Sequence, residues 1–423
     1  MIGRTRNEII RDDDSVERDR EYTLAFVEFD DEGWFYNSSQ MEELRKYLEE
    51  EDRKGSRFLL TVYVHGWRHN AGDKDQNVCK FRQILQRLSR DENVRHGKDR
   101  RGVVGIYVGW RGRSLRGPLP WEVLSFYGRK KAALYVSLGA VRELFAWLKH
   151  FQAQSNRDLG KAQSRTRLLF IGHSFGGLIL FSAISQYLIE SALNKDELVR
   201  PFGDLVVLIN PAFEACRYYP VHCIIQHRKT FRAGQPPALV MVTADTDTTT
   251  KRWFQLGRRL GLARWRARVP DQATTVLRTV GHVPFMQTHR LTAKRDHGNT
   301  LESQENSSRT EVPTEAECAD IIGDDDKLYR EFIYNDKLRT PDGHLKPGWE
   351  RLFNGGAVLK HMTCDPENPY WVISASKDVI FKHDGFWNKP VFEDFVRQLM
   401  EDVCYRSEKS DRTVTQEGPL RAA

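Results

Sequence analysis

The chain has 423 residues, enough for a large core, and a hydrophobic fraction of 40% supports one. Its formal charge is +7, but the 65 basic and 58 acidic residues are mostly interspersed, so the sequence predicts no nucleic-acid partner. Six scattered cysteines, without a Cys-x-x-Cys pair or a metal-ligand spacing, indicate free thiols in a reducing compartment and predict no metal site.

The N-terminal segment, residues 1–20, is highly charged and is predicted to be disordered. It lacks the apolar region of a secretory signal, so the chain is expected in the cytoplasm. From residue 21 to residue 249, apolar runs alternate with helical patterns; the runs predicted as buried strands are 58–64, 103–109, 168–171, 205–210 and 238–243. This alternation predicts an α/β fold, with a mostly parallel central sheet and helices on both faces.

Three further predictions concern helices. Ser39 is expected to cap a helix that begins near Met41, because its hydroxyl can accept an unpaired backbone N–H. Residues 130–151 predict one long amphipathic helix. The apolar stretch 168–184 contains His173 and three glycines and divides into strand, turn and helix, so we predict no transmembrane segment.

Residues 172–177 read Gly-His-Ser-Phe-Gly-Gly and lie between a predicted strand and a predicted apolar helix. Gly172 and Gly176 lack a Cβ, so two backbones can cross closely there and Ser174 can hold a strained conformation. The Ser174 hydroxyl would then lie at a helix N-terminus, where amide N–H groups favour developing negative charge. This pattern is typical of a nucleophile elbow.

A serine hydroxyl needs a base to take its proton, and the base is usually a histidine. His383 follows the last predicted strand, 369–374, and precedes a predicted helix that begins near Pro390. That position would bring it to the same edge of the sheet as Ser174, so we predict His383 as the base. His282 and His289 are the alternatives.

The base in turn needs a carboxylate that orients its ring and stabilises its charged form. Asp247 is the predicted acid, because it lies on a short polar loop just after the strand 238–243. Asp245 is an alternative that could instead stabilise the turn. Glu214, which follows the preceding strand, is a third candidate.

The tetrahedral intermediate of acyl transfer carries an oxyanion, which requires backbone N–H donors already in position. The predicted donors are the N–H of Phe175, at the start of the helix, and the N–H of Trp67. Trp67 belongs to the turn His65-Gly66-Trp67, which follows the strand 58–64. Taken alone, this turn is more often an ordinary glycine turn with a packed tryptophan, but its place at the end of an early buried strand, upstream of the elbow, favours the functional interpretation.

Residues 250–365 interrupt the alternation and are predicted to be an insertion, partly disordered, that could form a lid. Within it, 251–269 has seven basic residues, no acidic ones and several aromatics, while 292–320 is polar and predicted to be a mobile loop. The basic stretch could contact anionic lipid headgroups, but we favour packing of its aromatics on the sheet. The core is expected to resume at 366–404, followed by a disordered tail at 405–423.

The His-Gly turn, the sequence Gly-His-Ser-Phe-Gly-Gly, the later aspartate and the late histidine together resemble the α/β-hydrolase superfamily, in the chain order Ser174, Asp247, His383. The resemblance covers about 21–249 and 366–404. The chain resembles esterase- and lipase-like members that carry a long insertion between acid and histidine, in the place where a lid or cap can lie.

The resemblance implies a serine hydrolase that cleaves a carboxylic ester, of a small molecule or of a lipid, through an acyl-enzyme intermediate and without a cofactor. Two alternatives stay open. One is a non-catalytic member of the fold that binds or scaffolds partners through the insertion. The other is an amidase or thioesterase that uses the same three residues.

Overall fold

In the computed structural model, the described residues are 9–11, 21–112, 119–157, 165–228, 230–248, 266–294 and 312–406. Their strands form one eleven-stranded sheet in the order β1-β2-β4-β3-β5-β6-β7-β11-β8-β10-β9. The strand bounds are β1 Ile9–Arg11, β2 Thr23–Phe29, β3 Phe58–Val64, β4 Gly102–Trp110, β5 Arg167–His173, β6 Leu205–Ile209, β7 Leu239–Ala244, β8 His289–Ala293, β9 Glu350–Leu352, β10 Ala357–His361 and β11 Tyr370–Ala375. The run from β2 to β8 is parallel, and β1, β10 and β9 pair antiparallel at the edges.

Nine α-helices lie in the described part of the chain. They are α1 Ser38–Arg53, α2 Gln76–His96, α3 Leu119–Leu138, α4 Val141–Ser155, α5 Phe175–Leu193, α6 Ala215–His227, α7 Pro270–Leu277, α8 Glu315–Ile333 and α9 Pro390–Glu401. Apolar residues of α1, α3, α4, α5 and α6 form one core cluster with the sheet, and those of α2 and α9 form a second. The prediction of a mostly parallel sheet between two helical layers is therefore confirmed.

The central strand β3 shows how the sequence produces these two cores. All seven of its residues are buried. Because successive side chains of a strand point to opposite faces, Leu60, Val62 and Val64 enter the first core, while Leu59 and Tyr63 enter the second. A continuous apolar run is what a strand with helices on both sides requires.

Two local helix predictions need correction. The predicted single helix 130–151 is divided between α3 and α4, because the backbone of Gly33 approaches between them. A Cβ on Gly139 would lie 2.2 Å from the Gly33 carbonyl oxygen, and the Ala140 N–H donates to that oxygen at 2.7 Å. The first helix is capped by Asn37, not Ser39, since the Asn37 side chain accepts the N–H of Ser39.

The predicted insertion 250–365 is not separate from the core over its described part. It contributes β8, β9 and β10, and β8 pairs in parallel with β11 of the central sheet. Its last part also contains α8, so the predicted mobile loop 292–320 ends instead in a capped helix at Thr314. Most of the basic stretch 251–269 lies outside the described residues.

Both predicted disordered ends also need adjustment. Within 1–20, Ile9–Arg11 forms strand β1 beside β2. Within 405–423, Tyr405 is buried, and its hydroxyl donates to the Glu92 carboxylate at 2.7 Å. The remaining residues of both segments lie outside the described part of the chain.

Helix α5 is the one helix among the described residues that is long and apolar enough to cross a membrane. More than half of its apolar stretch, 56%, is buried inside the fold. It packs against β5 and lies beside α3 and α6. Its apolar sequence is therefore explained by its place in the core.

Candidate active site

Ser174 lies on the turn between β5 and α5, at the carboxyl edge of the sheet. Its backbone has φ 55° and ψ −117°, a conformation that is rare for a residue with a side chain. The surrounding structure holds it there: its N–H donates to the Ile209 carbonyl at 3.0 Å, and its carbonyl accepts the N–H of Ala212 at 3.1 Å. The strained turn directs the hydroxyl away from the strand.

The glycines around Ser174 are required by close backbone contacts. A Cβ on Gly176 would lie 2.0 Å from the Val64 carbonyl oxygen, and a Cβ on Gly172 would lie 3.0 Å from the Gly176 carbonyl oxygen. Any side chain at Gly176 would thus push α5 away from β3. The two glycines let the first turn of α5 lie directly over the end of the neighbouring strand.

A hydrogen-bonded chain joins Ser174, His383 and Asp247. The Ser174 Oγ is 2.7 Å from His383 Nε2, and His383 Nδ1 is 2.8 Å from Asp247 Oδ2. An ionised carboxylate only accepts hydrogen bonds, so the His383 Nδ1–H donates to Asp247 and Nε2 is left to accept the hydroxyl proton. The three groups are buried, with Asp247 fully so.

The charge environment of His383 favours its protonated form. Burial lowers its pKa, but the charge of Asp247 and the hydrogen bond to it raise the pKa, and the net shift is upward from 6.5. Asp384 adds to the increase and Arg68 opposes it. An imidazole that has received a proton from Ser174 is therefore stabilised in place.

The loop after β3 presses against the elbow. A Cβ on Gly66 would lie 2.9 Å from both the Ser174 Cβ and the His173 Nδ1, so only glycine fits there. The next residue, Trp67, packs its ring edge-on against Phe126 at 5.3 Å. The Phe126 ring in turn lies 4.8 Å from the ring of Phe175, the other predicted oxyanion donor, which begins α5.

His65 holds the loop after β3 in place through three contacts with Trp110. Its Nε2 accepts the Trp110 N–H at 3.0 Å, its carbonyl accepts the Trp110 indole N–H at 2.9 Å, and the two rings stack at an angle of 9°. Burial lowers the pKa of His65 to about 4, so the ring stays neutral and can accept at Nε2. The loop is thereby tied to the end of β4, a contact that the sequence analysis did not predict.

Asn210 is a second residue that the sequence analysis missed. It follows β6 with φ 44°, in the left-handed region that asparagine tolerates better than most residues. Its side-chain N–H₂ donates to the His383 carbonyl at 2.7 Å, and its side-chain oxygen accepts the Ala244 N–H at 2.9 Å. Asn210 therefore links the loop that carries His383 to the end of β7, three residues before Asp247.

The two alternative acids are engaged elsewhere. Asp245 pairs with Arg290 and accepts a hydrogen bond from the Ser374 hydroxyl. Glu214 is buried and accepts hydrogen bonds from Lys130 at 2.5 Å and Arg217 at 3.0 Å. Of the three predicted carboxylates, the structure brings only Asp247 to His383.

The alternative bases also lie apart from Ser174. His282 belongs to a single 3₁₀ turn, Val280–His282, that packs on β7 and β11. His289 begins β8, where its ring lies 4.7 Å from the ring of Trp371 and its Nδ1 is 2.8 Å from the Thr288 hydroxyl. The hydrogen bonds that connect Ser174 and Asp247 run instead through His383.

One group at this edge has the spacing of a metal site. Side-chain atoms of His173, His383 and Asp384 lie within 4.8 Å of one another. Both ring nitrogens of His383 are already hydrogen-bonded, to Ser174 and Asp247, and Asp384 is exposed. A metal ion bound by His383 would break that chain, so the arrangement favours proton transfer over metal binding.

Comparisons with known proteins add little to this geometry. No family model matches the sequence, and no curated protein matches it. One solved structure, phospholipase PlaB from Legionella pneumophila in complex with thio-NAD, is similar with a TM-score of 0.24 and 14% identity. The similarity covers 58% of this chain and about half (47%) of that chain.

Proposed function

We propose that this protein is a serine hydrolase of the α/β-hydrolase type that cleaves a carboxylic ester. The observation that carries the proposal is the hydrogen-bonded chain from Ser174 through His383 to Asp247. It combines a nucleophile, a base and an orienting carboxylate, in the order that acyl transfer requires.

In the proposed mechanism, His383 Nε2 takes the hydroxyl proton while the Ser174 Oγ attacks the ester carbonyl. The negative charge that forms on the carbonyl oxygen is stabilised by the backbone N–H groups of Phe175 and Trp67. His383 then donates its proton to the leaving alcohol, which leaves the acyl group on Ser174. A water molecule, deprotonated by His383, attacks that acyl group and releases the acid.

An ester is the proposed substrate because the elbow, the aspartate and the late histidine resemble those of esterase- and lipase-like members of the superfamily, and because an alcohol is a better leaving group than the amine of an amide. The alternatives from other classes predict different results. An amidase would turn over the matched amide, a thioesterase would prefer the matched thioester, and a non-catalytic binding protein would turn over none.

The test is turnover of p-nitrophenyl esters of two to sixteen carbons, beside the matched p-nitroanilides and thioesters. We expect the esters to be hydrolysed and the anilides to remain intact, with no effect of chelators. The matched control is Ser182→Ala, which removes a buried hydroxyl two turns further along α5. Turnover that survives in Ser174→Ala, or that is lost equally in Ser182→Ala, would contradict the proposal.

A further inference from the structure

His173, the residue directly before Ser174, has a polar side chain that the proposed mechanism does not use. It ends β5 and is only 1% exposed. Leu169 and Ile171 of the same strand belong to the second core, and because side chains alternate along a strand, the His173 ring lies on the same face. There it lies 4.7 Å from the ring of Phe386, which follows His383 by three residues. A polar ring therefore occupies a position that the pattern of the strand would give to an apolar side chain.

The groups around His173 determine which of its ring nitrogens carries the proton. Its Nε2 lies 3.3 Å from the His383 carbonyl oxygen and 3.6 Å from the Asp384 carboxylate, and both of these groups only accept hydrogen bonds. Its Nδ1 is buried beside Gly66 and has no hydrogen-bond partner among the described residues. Burial lowers the pKa of His173 to about 3, so the ring is neutral and has one proton. That proton lies on Nε2, and the Nε2–H donates to the His383 carbonyl.

Two side chains donate to this one carbonyl oxygen. The Asn210 side-chain N–H₂ donates to it at 2.7 Å, and the His173 Nε2–H donates at 3.3 Å. A carbonyl oxygen has two lone pairs, so both are engaged. In the parallel ladder of β5 and β6, His173 pairs with Ile209, the residue directly before Asn210. The ends of two neighbouring strands therefore hold one peptide group of the segment that carries the candidate base.

The backbone beside His383 needs such support. Lys382, directly before it, has φ 64°, in the left-handed region that is unfavourable for a residue with a Cβ. A conformation of this kind persists only where the surrounding contacts hold it. The His383 ring must also stay 2.7 Å from the Ser174 Oγ and 2.8 Å from Asp247 Oδ2, and a displacement of about 1 Å can lower a rate about 100-fold. The position of the His383 carbonyl therefore bears directly on the rate of the proposed reaction.

We propose that His173 is a positioning residue for His383. Its Nε2–H and the Asn210 amide together hold the His383 carbonyl and keep the imidazole between Ser174 and Asp247. This role rests on the proposed function, because it belongs to the same reaction. The His173 side chain neither attacks the substrate nor transfers a proton. A ring that only filled space would leave the rate unchanged when a side chain of similar size replaced it, whether or not that side chain could donate to the carbonyl.

Substitutions of His173 separate the donor from the packing. The amide nitrogen of glutamine lies about as far from the backbone as Nε2 of histidine, whereas that of asparagine lies about as far as Nδ1. We expect His173→Asn to lower kcat for p-nitrophenyl esters about tenfold with KM within about twofold, and His173→Gln to stay within about threefold of the wild type. His173→Phe keeps a ring without a donor, should resemble His173→Asn, and covers the case in which one variant fails to fold. Equal kcat in folded His173→Gln and His173→Asn, or full activity in His173→Phe, would overturn the proposal.

A double variant tests whether the two donors act on the same carbonyl. The kcat loss in His173→Asn combined with Asn210→Ala should differ from the product of the two single losses by at least about threefold, because groups in one hydrogen-bond network are coupled. The matched control combines His173→Asn with His289→Ala, whose ring packs on Trp371 instead. That pair should give the product of its single losses. Losses that multiply in both pairs would overturn the shared hold on the carbonyl.

A measurement without turnover distinguishes failure of this proposal from failure of the proposed function. In protein labelled with ¹⁵N-histidine, nuclear magnetic resonance reports which ring nitrogen carries a proton. We expect the His173 signals, identified by their absence in His173→Gln, to show a neutral ring protonated on Nε2 from pH 8 to pH 5, in the wild type and in Ser174→Ala. A proton on Nδ1, or a charged ring in that range, would overturn the proposal even if esters are hydrolysed. The expected ring in a protein that hydrolyses no ester would overturn the proposed function, and with it the catalytic consequence, but not the hydrogen bond.

Discussion

Two buried histidines, His383 in the loop after β11 and His289 at the start of β8, show what separates a candidate base from a structural ring. His383 lies between a hydroxyl and a carboxylate, and the charge of Asp247 raises its pKa despite burial. His289 lies among aromatic rings, and burial, together with the charge of His361, lowers its pKa well below 6.5. Both are buried, so burial alone does not distinguish them. The difference is the carboxylate: His383 can hold a proton and return it, whereas His289 stays neutral.

The comparison is tested most strongly by removing each ring. His383→Ala is expected to lower kcat for ester hydrolysis by about four to six orders of magnitude, because the nucleophile loses its base. His289→Ala is expected to leave kcat within about threefold and to lower the free energy of unfolding by roughly 2–4 kcal/mol, because a cavity forms among the rings. Assays of ester hydrolysis measure kcat, and urea denaturation measures the free energy of unfolding. Equal loss of kcat in both folded variants would contradict the distinction.

Asp247 and Asp245 allow the same comparison for the carboxylate that orients the base. Asp247→Asn should lower kcat about 10⁴-fold, because the amide cannot hold the Nδ1–H tautomer or stabilise the imidazolium. Asp245→Asn should lower kcat by less than about threefold, since its partners are Arg290 and Ser374. The reverse ranking would assign the acid to Asp245.

Asn210 tests whether the position of His383 depends on its backbone contact. Asn210→Ala should lower kcat about 10- to 100-fold with little change in KM, because the loop that carries His383 loses its hydrogen bond. Asn210→Gly separates the loss of the hydrogen bond from backbone strain. Glycine accepts φ 44° without strain but lacks the side chain that makes the hydrogen bond. Similar losses in both variants would assign the effect to the hydrogen bond, and full activity in Asn210→Gly would contradict a positioning role.

The smallest expected effects concern pH. The neutral form of His383 accepts the proton, so kcat/KM should fall as the pH drops through its pKa, which lies above 6.5. Asp384→Asn removes a charge that raises this pKa and should move the acidic limb to lower pH. Arg68→Gln removes a charge that lowers it and should move the limb to higher pH. Each shift should be a few tenths of a pH unit, because both residues are exposed. Shifts in the same direction would contradict the electrostatic account.

The sequence predicted the central strands and the elbow well, because their signals are local. An apolar run such as 58–64 or a Gly-x-Ser-x-Gly turn is read from consecutive residues. The start of α8 was missed, although Thr314 and Glu317 form a capping box whose Thr-x-x-Glu pattern is a local signal that could have predicted it. The three strands of the predicted insertion were missed because they have only three to five residues and are only partly buried, so none contains a long apolar run.

The supporting residues of the candidate site could not be predicted in the same way. Asn210 and His383 are 173 residues apart, and Trp110 and His65 are 45 apart. Nothing in the residues that flank Asn210 or Trp110 specifies these partners, because the contacts arise only when parallel strands align their carboxyl ends. The one local signal was an asparagine directly after a buried strand, at the edge where parallel sheets place their functional groups.

The most direct test of the central claim is labelling with a fluorophosphonate probe, followed by mass spectrometry of the modified peptide. The account predicts that the folded wild type is labelled on Ser174 alone. It also predicts that labelling is abolished in Ser174→Ala and is slowed at least a thousandfold in His383→Ala. A folded wild-type protein that is not labelled, or one labelled at another serine, would contradict the proposal that Ser174 is an activated nucleophile.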